Sequence, residues 1–105
     1  MKRTHDEFYL NEDNATVKQA FVEVADEIST ESCEVIADVG CATGAFPGYL
    51  KARFPNKEIV GIEYLDSLRS KAKNDFPLLD FRYGNVLDKT SVTQTYDVIT
   101  MLGVL

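Results

Sequence analysis

The sequence predicts an α/β domain, a mostly parallel sheet with flanking helices that ends after about four strands. Three observations carry that expectation. The runs 35–39 and 58–63 are short and nearly continuous in apolar character, as strands covered on both faces are. Each is followed by apolar residues at helical spacing. A glycine-rich turn, 40–44, joins the first run directly to its helix.

The first element lies upstream of that pattern. Val17, Ala20, Phe21, Val24, Ala25 and Ile28 share one face of a helix over 17–29, and Thr16-Val-Lys-Gln19 fits a capping box. Residues 1–15 are polar and acidic apart from Phe8-Tyr9-Leu10 and read as an N-terminal arm, leaving 16–105 as the domain. Val35-Ile-Ala-Asp-Val39 should be the central strand, and Gly40-Cys-Ala-Thr-Gly44 the turn after it. Phe46, Tyr49, Leu50 and Phe54 then mark a helix, with Pro47 in its first turn, where a missing N–H costs little. Glu58-Ile-Val-Gly-Ile-Glu63 is the second strand. The helix after it has Leu65, Leu68 and Ala72 inward and Asp66 as its cap, and Pro77 stops it. Leu79-Asp-Phe-Arg-Tyr83 alternates like a more exposed strand, and Tyr96–Leu102 returns to the buried type, with Val98 and Ile99 as core.

Composition narrows the function. With 105 residues the chain holds one domain, and 17 acidic against 11 basic residues give a formal charge of −6 without a basic cluster, which makes nucleic acid an improbable partner. No apolar stretch approaches the roughly 20 residues of a membrane span, and acidic residues follow Met1-Lys-Arg-Thr-His5 where a signal peptide would be apolar, so a cytoplasmic protein without a membrane partner is expected. Cys33 and Cys41, eight residues apart, fit neither a redox pair nor a zinc pattern and should be reduced and structural. No metal site is predicted.

In an open parallel sheet, ligands bind at the carboxyl ends of the strands, beside the point where strand order reverses. The first strand should flank that point, so the turn 40–44 and Glu63 would converge on one crevice. Glycine lets the turn approach a ligand closely, and the helix N-terminus beyond it favours an anion. Glu63 stands 19 residues after Gly44, near the offset expected of an acid that grips a ribose diol. A structural turn and an exposed strand-end charge are the plainer readings of the same residues.

VIADVGCATG, IVGIEYLD, FRYGNVLD and YDVITMLGVL together resemble four successive signatures of the class I S-adenosylmethionine-dependent methyltransferases, across residues 35–105. The resemblance implies a Rossmann-like fold, S-adenosyl-L-methionine as cofactor, and transfer of its methyl to a substrate oxygen, nitrogen or carbon. The family's acidic-x-Gly-x-Gly-x-Gly falls on Asp38, Gly40, Ala42 and Gly44, so Ala42 departs from it. The implied roles follow residue by residue. Gly40, Cys41 and the loop through Gly44 hold the methionine end and the sugar, and Asp38 orients the turn and the amino group. Glu63 binds the ribose hydroxyls, and Tyr64 and Leu65 lie against the adenine. Asn85 stands where the family usually carries an acid and, with the Val86 amide, reads the base edge. Leu102 and Gly103 floor the site.

No catalytic base is identified. His5, the sole histidine, reads as an exposed terminal residue, Tyr9 as an anchor, Asp88 as part of a loop and Asp97 as structural. The acceptor is expected to be a small molecule, and the fourth strand, left as an apolar edge, is expected to promote self-association. An NAD-dependent oxidoreductase fragment and a non-catalytic interaction module of the same fold are the alternatives, although dinucleotide sites favour Gly-x-Gly-x-x-Gly over Gly40-x-Ala42-x-Gly44.

Overall fold

A computed structural model describes residues 17–85 and 96–102. The elements follow the predicted order: α1 (Gln19–Ser29), β1 (Val35–Val39), α2 (Ala45–Arg53), β2 (Glu58–Ile62), α3 (Asp66–Asp75), β3 (Asp80–Arg82) and β4 (Val98–Thr100). The four strands form one sheet in the order β3-β2-β1-β4, every pairing parallel. The chain steps outward from β1 to β3, then returns to pair β4 on the other side of β1. Strand order therefore reverses between β1 and β4, as the sequence predicts.

Parallel pairing puts partnered residues on one face. Ile36 pairs with Ile59 and with Val98, and this face packs under α1 and α2 through Phe21, Ala25, Ile28, Phe46 and Leu50. Phe81 of β3 extends the same face beneath α3, packing on Ala72 and Cys41. The Phe21 and Phe46 rings meet at 5.0 Å between centroids, an attractive tilted pair that locks α1 to α2. Ala37, Val39, Val60 and Ile62 form a separate buried cluster on the opposite face, with Tyr96 against it.

Several boundaries differ from expectation. Helix α1 starts two residues late, with Lys18 rather than Thr16 at its cap position and no side-chain cap bond, so the capping box does not form the start. Leu65, not Asp66, occupies the cap position of α3, half-buried rather than packed inward. Asp66 instead lies in the first turn and pairs with Arg69, one turn along, where its charge still suits the helix dipole. The strands are shorter than their apolar runs, since pairing stops where the chain turns away.

Ile99 is the clearest correction. It lies 54% exposed, not in the core. Its side chain shares the face of Ala37, its partner on β1, and no described helix packs on that face at the β4 edge. Val98, on the helix-covered face, does pack against the core. The expected edge position of β4 holds: among the described strands it pairs with β1 alone.

Asp97 has the structural role expected of it. Its Oδ2 accepts the amides of Glu34 and Val35 at 2.9 and 3.0 Å, tying the entrance of β4 to the start of β1. These bonds favour its charged form and hold its carboxyl below the ordinary value. Cys33 and Cys41 are both buried, unpaired thiols.

Candidate functional site

The carboxyl ends of β1 and β2 lie side by side, with Val39 paired to Ile62, so the chain leaves both strands at the same edge of the sheet. On the β1 side the backbone alternates into the left-handed region three times, at Gly40 (φ 70°), Ala42 (φ 52°) and Gly44 (φ 88°). For Ala42 that conformation costs about 1 kcal/mol, because its Cβ crowds the carbonyl that follows. The sequence shows why the turn is still made. The amides of Gly40 and Cys41 both donate to the Ile62 carbonyl, at 2.8 and 3.1 Å, and the Ala42 amide donates to Glu63 Oε1 at 2.9 Å. Three bonds to the neighbouring strand end outweigh one strained residue.

Glycine is needed at the third position for space as well as conformation. A Cβ on Gly44 would lie 2.9 Å from Phe81 and 3.1 Å from the Ala72 Cβ. Gly61, on β2, is tighter still, with Phe81 at 2.5 Å from the same hypothetical atom and the Cys41 sulfur at 2.9 Å. Phe81 thus fills the room that two glycines leave, and the turn sits flat on the sheet.

Glu63 is the first residue past β2 and is only 4% exposed. Its second oxygen accepts the Leu65 amide at 3.0 Å, so both oxygens are fixed by backbone N–H groups. A carboxylate offers about four lone-pair sites, and two remain to accept from hydroxyl groups. Arg69 donates to the Glu63 carbonyl at 3.0 Å and lies over the exposed Tyr83 ring.

Asp38, the last residue but one of β1, is 2% exposed and accepts a 2.7 Å bond from the Thr100 hydroxyl of β4, across the point where strand order reverses. Burial pushes its carboxyl up to about 7, against the opposing pull of the Thr100 hydroxyl and the Leu102 amide, with the nearby Glu63 charge adding to the rise. The Cys41 thiol is pushed up as well, by burial first and then by Asp38 and Glu63, so it stays protonated and unreactive.

The predicted residues are therefore brought together in large part. Asp38, Gly40, Cys41, Ala42, Gly44 and Glu63 lie together at the carboxyl ends of β1 and β2. Tyr64 is exposed beside it and Leu65 half-buried, and Asn85 follows β3 at the same end of the sheet. Leu102 is half-buried and packs toward the α1–α2 core. Since the Gly40 and Cys41 amides serve the sheet, any hold these two have on a ligand runs through their carbonyls. Val86, Gly103, His5, Tyr9 and Asp88 lie outside the described residues. Sequence reasoning missed Thr100 and Arg69. Thr100 was recoverable from register, since any parallel partner of Asp38 at that level shares its face; Arg69 leaves no comparable signal.

Among the described residues no group of three or more acidic, Cys or His side chains is placed to hold a metal ion. A hollow of about 780 Å³ at the opposite end of the sheet is lined by Arg53, Phe54 and Lys57 among others, but Arg53 is paired with Asp26 and Lys57 donates to the Cys33 carbonyl. It presents backbone-engaged cations and no convergent reactive groups.

No family model matches the sequence. Among curated proteins, the chain is 27% identical over 86 residues to the release factor glutamine methyltransferase of Aliivibrio fischeri, an alignment covering 77% of this chain and 30% of that protein. Among solved structures, it superposes with a TM-score of 0.69 and 26% identity on a TehB-like SAM-dependent methyltransferase from Corynebacterium glutamicum, covering 94% of this chain and 55% of that one. It also superposes, with a TM-score of 0.70 and 23% identity, on SAM-bound CalS10, an amino pentose methyltransferase from Micromonospora echinaspora, covering 91% of this chain and 39% of that one. The chain has the Rossmann-like fold of the class I SAM-dependent methyltransferases. It spans between 22% and 30% of the length of the curated methyltransferases it matches.

Proposed function

We propose that the chain is the cofactor-binding part of an S-adenosylmethionine-dependent methyltransferase that acts on a small-molecule acceptor. The observation that carries this reading is the bond from the Ala42 amide to Glu63, which joins the turn after β1 to the acid after β2 at the carboxyl edge of the sheet. Two buried carboxylates, Asp38 and Glu63, suit a cofactor that is cationic and carries a ribose diol, and the turn between them has no side chain larger than threonine to obstruct it.

In this reading Glu63 accepts the ribose hydroxyls on its remaining lone pairs, and the carbonyls of Gly40 and Cys41, with the loop through Ala42 and Gly44, contact the methionine portion. Asp38 faces the positive groups. Tyr64 and Leu65 flank the adenine, Asn85 and Val86 read its edge, and Leu102 lies beneath. The cofactor, when bound, supplies a methyl group on a sulfonium that is already a good leaving group. The protein's share is orientation and exclusion of water, with no base assigned.

The acceptor class draws support from CalS10, described as an amino pentose methyltransferase, and from a plantazolicin methyltransferase of the same fold. The two reduced thiols and the absence, among the described residues, of a helix long and apolar enough to cross a membrane suit a cytoplasmic setting. The exposed Ile99 and Met101 at the β4 edge favour association with another chain. Sedimentation of wild type and Ile99→Lys tests that: a monomer in both cases rejects it.

Calorimetric titration with S-adenosylhomocysteine tests the main reading. The expected result is saturable binding that weakens by about 1.5–3 kcal/mol in Glu63→Ala, with no competition from NADH. Binding of NADH in place of the thioether would favour the oxidoreductase alternative, and binding of neither would leave a fold without this ligand.

A further inference from the structure

Glu63 is held at every polar atom it has. Its amide donates to the Arg82 carbonyl at 3.0 Å, its carboxylate oxygens accept the Ala42 and Leu65 amides, and its own carbonyl accepts from the Arg69 guanidinium at 3.0 Å. The first three bonds run through backbone N–H groups of the sheet, the turn and the start of α3. The last depends on one side chain. Arg69 stands near the N-terminus of α3, where a cation opposes the helix dipole, yet its side chain is only 17% exposed, far below what a solvated helix arginine shows. Asp66, one turn back, pairs with it and offsets the first cost. A helical side chain leans toward the start of its own helix, so residue 69 is carried back over the point where the chain leaves β2. On the same helix Leu68 and Ala72 take the buried face, and Ser67 and Ser70 are exposed.

The guanidinium also lies over the Tyr83 ring, 5.7 Å from its centroid. Ile62 pairs with Arg82, so Glu63 and Tyr83 are the first residues beyond two paired strand ends. One planar cation thus ties the end of β2 to the end of β3, with α3 as the third anchor. Lysine would not reproduce this, because its ammonium is a point charge without a face to lay on the ring. We propose that Arg69 is a positioning residue of the cofactor site: by fixing the Glu63 carbonyl against α3 and Tyr83, it sets the orientation in which the Glu63 carboxylate meets the ribose hydroxyls. The inference rests on the cofactor reading and deepens it.

A carboxylate on an immobile main chain offers its remaining lone pairs in one direction, and hydroxyl groups are recognised by that direction. When the carbonyl is released, the peptide plane leading into Tyr64 is free to turn and the side chain follows it. The loss then falls on the ribose hydroxyls rather than evenly on the ligand. Two ligands that differ by one hydroxyl isolate this effect, since the adenine and amino-acid groups are common to both and cancel in the ratio of their affinities.

The experiment is calorimetric titration of the chain with S-adenosylhomocysteine and, separately, with its 2′-deoxy form, for wild type and Arg69→Met. Wild type should prefer the parent ligand by about tenfold or more, the ratio that a hydrogen bond to a charged group produces. In Arg69→Met the preference should fall to about threefold or less, because the parent is weakened more than the 2′-deoxy form. Equal weakening of both ligands, which a merely structural role would give, or an unchanged ratio overturns the proposal and leaves the cofactor reading intact. A wild type that binds both ligands equally overturns it as well. Absence of binding by either ligand to wild type overturns both readings. Arg69→Lys decides the matter if Arg69→Met does not fold: it keeps the charge and a donor but loses the plane on Tyr83, so its ratio should fall to about half that of wild type or lower. A wild-type ratio in that variant overturns the proposal.

Discussion

The amide of Ala42 and the carboxylate of Glu63, 21 residues apart in sequence, are joined by a 2.9 Å hydrogen bond that fixes a left-handed residue against the end of the neighbouring strand. The bond makes Glu63 part of the turn's architecture as well as of any ligand contact. Its two oxygens serve two donors, and an amide side chain has only one oxygen. Glu63→Gln should therefore set an NH₂ against a backbone N–H and lower stability by about 1–3 kcal/mol in urea unfolding. An unchanged midpoint would show that the carboxylate contributes to binding alone.

Ala42 tests the same turn from its other side. Replacement by glycine relieves the left-handed strain but loses a buried methyl and gains chain entropy when unfolded, so stability should stay within about 1 kcal/mol of wild type. Ala42→Val places a β-branched side chain at φ 52° and should cost more than about 2 kcal/mol and abolish ligand binding. Comparable melting temperatures for the two variants would show the turn to be pliable.

Gly61 and Phe81 are predicted to be coupled. Gly61→Ala puts a methyl 2.5 Å from the Phe81 ring and should destabilise by about 1–3 kcal/mol. Pairing it with Phe81→Leu should recover part of that loss, a non-additivity that a double-mutant cycle measures directly. Additive effects would mean that the ring already has space to move.

Asp38 and Asp97 should pull the pH dependence of stability in opposite directions. The folded state raises the Asp38 carboxyl from 3.8 to about 7, so it contributes most below about pH 4 and that contribution is lost as pH climbs toward 7. The Asp97 carboxyl is lowered by the Glu34 and Val35 amides, so its contribution is present above its ordinary value and lost in acid. Asp38→Asn should gain on the order of 2 kcal/mol over wild type at pH 8 and little at pH 4. Asp97→Asn should flatten the acid limb instead. Melting curves from pH 3 to 8 read both effects at once.

Much of this architecture was legible because the signals are local and agree with one another. Val35–Val39 and Glu58–Ile62 are apolar apart from Asp38 and Glu58, a near-continuous run that suits a strand covered on both sides, and Gly40 and Gly44 bracket a turn that their conformations explain. The misreadings arose where tertiary context overrides composition. Ile99 looks like core by hydropathy and is exposed because its face has no described helix over it at that edge. Lys18 and Leu65 take cap positions that propensity assigns to Thr16 and Asp66, since the helices begin where packing of Phe21 and Leu68 sets them. The Asp38–Thr100 bond spans 62 residues and depends on which strand returns to β1, a fact of topology rather than of spacing.

That return has a kinetic meaning. β1, β2 and β3 follow one another through short crossovers, so their pairing closes small loops, while β4 closes one of about 60 residues onto the same central strand. The last segment of the sheet to zip is thus the one that brings Thr100 to Asp38, and the crevice is finished only then. In native-state hydrogen exchange the amides of Val98 to Thr100 should open at lower free energy than those of β1, making the wall of the site the first part of the sheet to fray and the segment that any bound ligand would protect most.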